Sequence, residues 1–112
     1  MEVTVILSFD LGANGDYDGM YRWLDDHDAL ECGTSVAIFK YSAEGELEDV
    51  YSEIKGDIAN SVDLKTKNRV YGVCISKGSA RAGFMIGRRK SAPWEGYGSL
   101  GDDEFDDLSD IL

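Results

Sequence analysis

The first apolar run, Met1 to Leu11, constrains the fold most, because it alternates like a β-strand and ends in a carboxylate, Asp10. One face of this strand would carry Val3, Val5, Leu7 and Phe9. The alternation is that of a half-buried strand, and Ile6 on the other face suggests that this face is partly covered too. Because Gly12 to Gly15 then form a turn, we expect Asp10 at the C-terminal end of a central strand, opening into a cleft.

Two helices and three further strands are predicted along the chain. The first helix carries apolar residues at Tyr17, Met20, Tyr21 and Leu24, and the second at Leu47, Val50, Tyr51, Ile54 and Ile58. Ala29 to Cys32 and Thr34 to Tyr41 read either as a tight hairpin or as one bulged strand. Arg69 to Ser76 reads as the next strand, and Ala80 to Gly87 as a final strand that Gly83 weakens and that lies at a sheet edge.

The order of these elements is strand, helix, strand, helix, strand, strand. It predicts an α+β fold of the ferredoxin-like sandwich type, a mostly antiparallel sheet with two helices on one face, plus a C-terminal hairpin strand. We expect this domain to span residues 1–90. Residues 91–112 change in composition and are predicted to be a linker and an acidic, flexible tail.

A chain of 112 residues makes one domain that is marginal alone, so a dimer would stabilise it. No apolar run approaches the length of a membrane span, and no signal peptide is evident, so we expect a cytoplasmic protein that does not enter membranes. Cys32 and Cys74 each lie in or beside an apolar run and are expected to be buried free thiols.

The net charge of −11 is unevenly distributed. Residues 65–90 hold eight of the eleven basic residues and no acid, whereas residues 91–112 hold seven acids and no base. The basic segment could contact phosphates, or it could simply meet the acidic remainder within the chain or across a dimer.

Positive charge beside stacking surfaces marks a candidate nucleic-acid interface. Its residues are Arg81, Arg88, Arg89, Lys90 and Trp94. Single-stranded nucleic acid would use both features, although aromatic side chains after an edge strand also pack against dimer partners. The sequence leaves both readings open.

Four apolar residues recur among the aspartates of the tail. They are Phe105, Leu108, Ile111 and Leu112. This pattern could dock as an amphipathic helix in the groove of a partner protein or against the chain's own basic segment, and the alternative is a solvated tail that aids solubility.

Several segments together resemble the small CRISPR adaptation proteins, ferredoxin-fold, endoribonuclease-like subunits of the spacer-integration complex, and the related virulence-associated protein D toxins. The segments are Ser8 to Leu11, the Tyr17 to Leu24 helix, Cys32 to Val36, the Glu-rich second helix and Arg69 to Ser76. The resemblance implies a homodimer with packed sheets in which the C-terminal strand completes the partner's sheet. It also implies a catalytic and metal-binding Asp10, paired with its symmetry mate across a cleft, that holds Mg²⁺ or Mn²⁺. The chain departs from that pattern at Asp16 and Asp18, where the family has basic residues, and in its acidic tail.

The sequence is compatible with three functions. The first is a small dimeric nucleic-acid-related protein that acts by binding more than by catalysis, with metal-dependent endonuclease activity at Asp10 as the catalytic variant. The second is an acidic phage or mobile-element interaction protein that imitates nucleic acid or inhibits a DNA- or RNA-processing partner. The third attributes the acidic surface to a salt-loving host.

Overall fold

The computed structural model describes residues 1–98. Its elements are β1 (Glu2–Asp10), α1 (Tyr17–Asp26), β2 (Leu30–Gly33), β3 (Val36–Ser42), α2 (Leu47–Ser61), β4 (Arg69–Ser76) and β5 (Ser79–Ile86). Each predicted helix and strand is present, within one to three residues of its expected bounds at most ends. Of the two alternatives for residues 29–41, the hairpin is correct and the single bulged strand is wrong: β2 and β3 are separate antiparallel strands, with a register shift between Glu31 and Gly33.

The five strands form one antiparallel sheet in the order β2-β3-β1-β4-β5. The predicted α+β class is confirmed, and the architecture is compatible with a ferredoxin-like sandwich. A ferredoxin-like sandwich has four strands, from a β-α-β-β-α-β unit. Here β5 is a fifth strand, which pairs with β4 and forms the edge of the sheet. β1 is central, as the alternation of its residues predicted.

Both helices cover the same face of the sheet. Val3, Val5 and Leu7 of β1 are fully buried there, together with Met20 of α1 and Ile54 of α2. α1 begins at a cap in which the Asp16 carboxylate accepts the Gly19 N–H, and α2 begins at a reciprocal cap between Glu46 and Asp49. Apolar burial between the helices and the sheet supplies the main stabilisation of the fold.

The opposite face of the sheet carries no helix in residues 1–98 and is largely apolar. Ile6, Ile38 and Val73 form one row across its three central strands. In the next row Tyr71 and Phe84 are 40% and 41% exposed, with their rings edge to face at a centroid distance of 5.5 Å. We call this surface the open face.

The structure differs from the sequence-based expectations in the burial of Cys32 and in the role of Gly83. Cys32 is exposed, because β2 is an edge strand whose four residues all face solvent, whereas Cys74 is buried as expected. Gly83 has a packing role, since a Cβ there would lie 3.1 Å from the Tyr51 hydroxyl and 3.1 Å from Arg81 Nη1. Neither helix of the described part combines the length and the apolar character that a membrane crossing requires.

Candidate nucleic-acid interface

Asp10 is the last residue of β1, and its side chain is two-thirds exposed. Its Oδ1 accepts the N–H of Gly12 at 3.1 Å, which fixes the turn after the strand. Its Oδ2 lies 4.0 Å from Nη1 of Arg69, the residue opposite it on β4. The carboxylate therefore has two structural partners, the turn and a cation.

The loop before β4 is held against the end of β1 by Asn68, a buried polar residue. Asn68 Nδ2 donates to the Leu11 carbonyl at 3.1 Å, and Asn68 Oδ1 accepts the N–H of Lys65 at 2.8 Å. The ammonium of Lys65 in turn donates to the Asn14 carbonyl at 2.8 Å. These bonds tie the Lys65 to Arg69 loop to the turn that follows Asp10.

Together the loop and the turn enclose a cleft of about 500 Å³. Lys65, Lys67 and Arg69 line it as cations, and Asp10 lines it as a carboxylate. A cleft with three cations and one carboxylate suits a phosphate group better than a free cation, because its net charge is positive.

The β4–β5 hairpin brings a second basic segment to the same end of the sheet. β5 returns antiparallel to β4, so that Ile86 lies opposite Val70. Gly87 follows with φ +68°, and a Cβ on it would lie 2.3 Å from the Asn68 carbonyl oxygen. Only glycine fits this close approach, which places Arg88 beside the Lys65 to Arg69 loop.

We call this surface the basic end. Its residues are Lys65, Lys67, Arg69, Arg88, Arg89 and Lys90. Trp94 follows it in the described turn of residues 93–96 and is 75% exposed. The indole is available for stacking and lies four residues from Lys90.

Arg81, by contrast, lies away from the basic end. It faces Cys74 across the β4–β5 ladder, on the helix side of the sheet. Its guanidinium forms an ion pair with Glu48 and stacks 4.0 Å from the ring centroid of Tyr51. The hydrogen bond that Arg81 Nε donates to Glu48 Oε2 raises the pKa of Arg81, and this contact anchors β5 to α2.

One acidic residue near this end has a fixed structural role. The carboxylate of Asp16 accepts the N–H of Asp63 at 2.8 Å and that of Gly19 at 2.9 Å. These hydrogen bonds lower the pKa of Asp16, and Lys65 adds a smaller attraction. Asp16, one of the two acidic residues at which the chain departs from the pattern of the adaptation proteins, therefore joins the loop after α2 to the start of α1.

The predicted metal site at Asp10 requires several metal-ligating side chains close together. Residues 1–98 contain no group of three or more His, Cys, Asp or Glu side chains that could hold a metal ion. Asp10 is the carboxylate of the cleft, and the Arg69 guanidinium already faces it. A single chain therefore offers one carboxylate to an ion here, and the resemblance would supply the second from Asp10 of a second copy, so Mg²⁺ or Mn²⁺ at Asp10 stays a prediction.

The predicted tail contacts at Phe105, Leu108, Ile111 and Leu112 lie outside the described residues. Sequence reasoning had counted Lys65, Lys67 and Arg69 as part of one long basic segment but had not separated them from Arg81. It also missed Asn68, whose signal was only a polar residue directly before a predicted strand. Its role depends on contacts 57 residues apart.

Comparisons with known proteins add no relative. No family model matches the chain, and neither the curated proteins nor the solved structures include a match.

Proposed function

We propose that this chain is a small cytoplasmic nucleic-acid-binding protein that acts as a homodimer, by binding rather than by catalysis. The observation that carries the proposal is the convergence of two basic segments at one end of the sheet. Lys65, Lys67 and Arg69 line one cleft there, and the close approach of Gly87 to Asn68 brings the start of the Arg88 to Lys90 run to the same end, in a chain whose net charge is −11. A local positive surface on an acidic protein favours phosphate contacts at that surface. The negative charge of the rest of the chain disfavours binding of nucleic acid at other places.

Single-stranded nucleic acid fits this surface better than a duplex does. Three of the cationic residues, Lys65, Lys67 and Arg69, border a cleft rather than an extended ridge, and Trp94 supplies an exposed ring four residues after Lys90. Stacking of a base on an aromatic side chain contributes roughly 1–3 kcal/mol by alanine substitution. Backbone contacts in the cleft and one stacked base form a small site for a few nucleotides.

The open face supports the homodimeric part of the proposal. Its apolar row is half-buried and its aromatic pair is exposed in a single chain, and exposed apolar patches mark interaction surfaces. The face is nearly self-complementary in chemistry, since two copies would each offer isoleucine, valine and aromatic side chains. Packing two open faces would leave the basic end of each chain accessible at the rim.

The test of nucleic-acid binding is fluorescence anisotropy with labelled single-stranded DNA, single-stranded RNA and duplex DNA of the same length. We expect binding to single strands that weakens with salt at a slope of roughly −0.7 per phosphate contacted. Arg88→Gln combined with Arg89→Gln should weaken binding at least tenfold. The matched control is Lys77→Asn, which removes a cation at the far end of the β4–β5 hairpin, where Lys77 has φ +49° and asparagine is tolerated.

Two results would overturn the proposal. One is the absence of saturable binding to all three nucleic acids at low salt. The other is an equal loss of affinity in the control and in the double variant. Either result would favour the acidic interaction protein, whose partner is a nucleic-acid-processing protein rather than nucleic acid.

A second candidate function is metal-dependent phosphodiester hydrolysis at Asp10. It is favoured by one observation, that the exposed Asp10 carboxylate lines the same cleft as Lys65, Lys67 and Arg69. A phosphodiester held by these cations would lie beside the carboxylate. Cleavage of a bound oligonucleotide in Mg²⁺ or Mn²⁺ that Asp10→Asn abolishes would establish this function, and intact oligonucleotide after long incubation would exclude it.

A further inference from the structure

A groove on the helix side of the sheet lies at the edge opposite to β5. It runs between α1 and the edge strand β2 and has a volume of about 350 Å³. Phe9 and Leu24 form its apolar floor, and Tyr21 is 55% exposed at its side. The rings of Phe9 and Tyr21 meet edge to face at 6.3 Å.

The charge of this groove is of one sign. Asp25 and Glu31 line it, and none of its lining residues is basic. Residues 23–39, which supply most of its walls, contain four acids and no lysine or arginine. Apolar walls with carboxylates at the rim match a long cationic side chain, whose methylene stem packs while its charged end meets an acid or an aromatic ring.

The strand beside the groove is an edge strand of the described sheet. β2 is the outermost strand, and within residues 1–98 it pairs with β3 alone. All four of its residues are exposed, and its unpaired backbone groups can hydrogen-bond to an added strand. Strand addition takes its affinity from such main-chain bonds and its specificity from pockets for alternate side chains.

We propose that this groove and the β2 edge bind an extended, positively charged segment of a partner protein. The segment would add as a strand beside β2 and place a lysine or arginine side chain between Tyr21 and the carboxylates of Asp25 and Glu31. Like charge disfavours this chain's own residues 99–112, which contain six acids and no base. The chain's own basic end begins at β4 and continues after β5, three and four strand spacings or roughly 14 and 19 Å from β2 across the sheet.

This site is separate from the proposed nucleic-acid surface and from the open face. Phe9 and Ala37 point to the helix side, so packing of two open faces would leave the groove accessible. A basic segment is also the kind of element that nucleic-acid-binding proteins carry. The groove would therefore let the protein recruit such a partner while its own basic end stays available.

The test is a titration of the ¹⁵N-labelled full chain with a hexa-arginine peptide, followed by NMR. We expect saturable shifts centred on the amides of Tyr21, Leu24, Glu31 and Val36. Glu31→Lys should raise the Kd at least tenfold. Asp25→Lys, near the helix C-terminus where a cation is favourable, should do the same if the β2 variant fails to fold.

The matched control is Glu44→Lys, which makes the same charge change in the exposed β3–α2 connection, beyond the other end of β3. Equal weakening by Glu31→Lys and Glu44→Lys, or shifts centred outside the groove, would overturn the proposal. If the chain self-associates, and if both Glu31→Lys and added hexa-arginine abolish that association, the groove binds a second copy of the chain rather than a partner protein. Nucleic-acid affinity should not fall in Glu31→Lys, which separates this test from that of the basic end.

Discussion

The backbone N–H of Asp63 donates to Oδ2 of Asp16 at 2.8 Å, which joins two loops 47 residues apart in sequence. The same carboxylate caps α1 through Gly19. One ionised side chain therefore connects the entry of α1 to the exit of α2, next to the loop that carries the basic cleft.

This contact predicts a pH-dependent contribution to stability. The pKa of Asp16 in the folded chain is lowered from 3.8, first by the Asp63 hydrogen bond and then by that of Gly19. A lowered folded pKa means that the contribution is fully present above the unfolded pKa and is lost as pH falls through the folded pKa. Asp16→Ala should lower the melting temperature by several degrees at pH 7 and by much less near pH 2.

Circular dichroism melts of the wild type and the variant at both pH values measure this difference. Asp18→Ala is the control, since Asp18 lies in the same first turn but makes no capping contact. A melting-temperature difference that stays constant from pH 7 to pH 2 would show that ionisation of Asp16 is not its cause.

Two glycines with nearly equal backbone angles allow a test of the close approach that builds the basic end. Gly87 has φ +68° and its added Cβ would overlap the Asn68 carbonyl, whereas Gly12 has φ +66° and open space around it. Gly12→Ala should cost only the left-handed penalty of about 1–2 kcal/mol. Gly87→Ala should cost clearly more in the free energy of unfolding and should also weaken nucleic-acid binding.

Urea unfolding of both variants measures this comparison. Equal costs at the two positions would mean that the chain relaxes at Gly87 and that the contact with Asn68 does not hold the two basic segments together.

The open face predicts a defined change in oligomeric state. Tyr71→Lys puts a charge beside Phe84, in the part of the face that a second copy would cover, so a dimer should dissociate to monomers. Sedimentation velocity of the wild type and the variant measures this. Tyr21→Lys is the control, because Tyr21 is also an exposed tyrosine but lies on the helix side; dissociation by the control alone would place the interface elsewhere.

Asp10 allows its turn-forming role to be separated from metal binding. Asp10→Asn keeps an oxygen to accept the Gly12 N–H, so its stability should stay close to that of the wild type, whereas Asp10→Ala should be less stable. If the carboxylate holds Mg²⁺ or Mn²⁺, saturable NMR shifts of the Asp10 and Gly12 amides should disappear in both variants. Shifts of equal size in the wild type and in Asp10→Asn would exclude metal binding at this carboxylate.

Much of the fold could be predicted from local sequence patterns. The alternation in Met1 to Leu11 and the apolar spacing of both helices identify the buried face of each element, because side-chain direction follows strand and helix periodicity. The bounds of β4 were predicted to the residue. β2 was less clear, since its four exposed residues have no buried face to produce a periodic signal.

The candidate site was only partly predictable. Arg88, Arg89 and Lys90 are a visible basic run, but their proximity to Lys65, Lys67 and Arg69 depends on the β4–β5 pairing and on the fit of Gly87 against Asn68. Arg81 lies apart from this group because it contacts Glu48 and Tyr51 of α2, which lie 33 and 30 residues away in sequence.

Local patterns along the chain specify the order and type of the elements, the central place of β1 and the uneven charge, because each follows from residue spacing or composition. Which charged side chains meet depends on strand pairing and on the packing of the helices against the sheet. The β4–β5 hairpin returns the Arg88 to Lys90 run to the end of the sheet that carries Lys65, Lys67 and Arg69, side-chain contacts tie Arg81 to α2, and an acidic groove lies beside the edge strand β2. These juxtapositions rest on contacts between residues far apart in the chain, which no local pattern records.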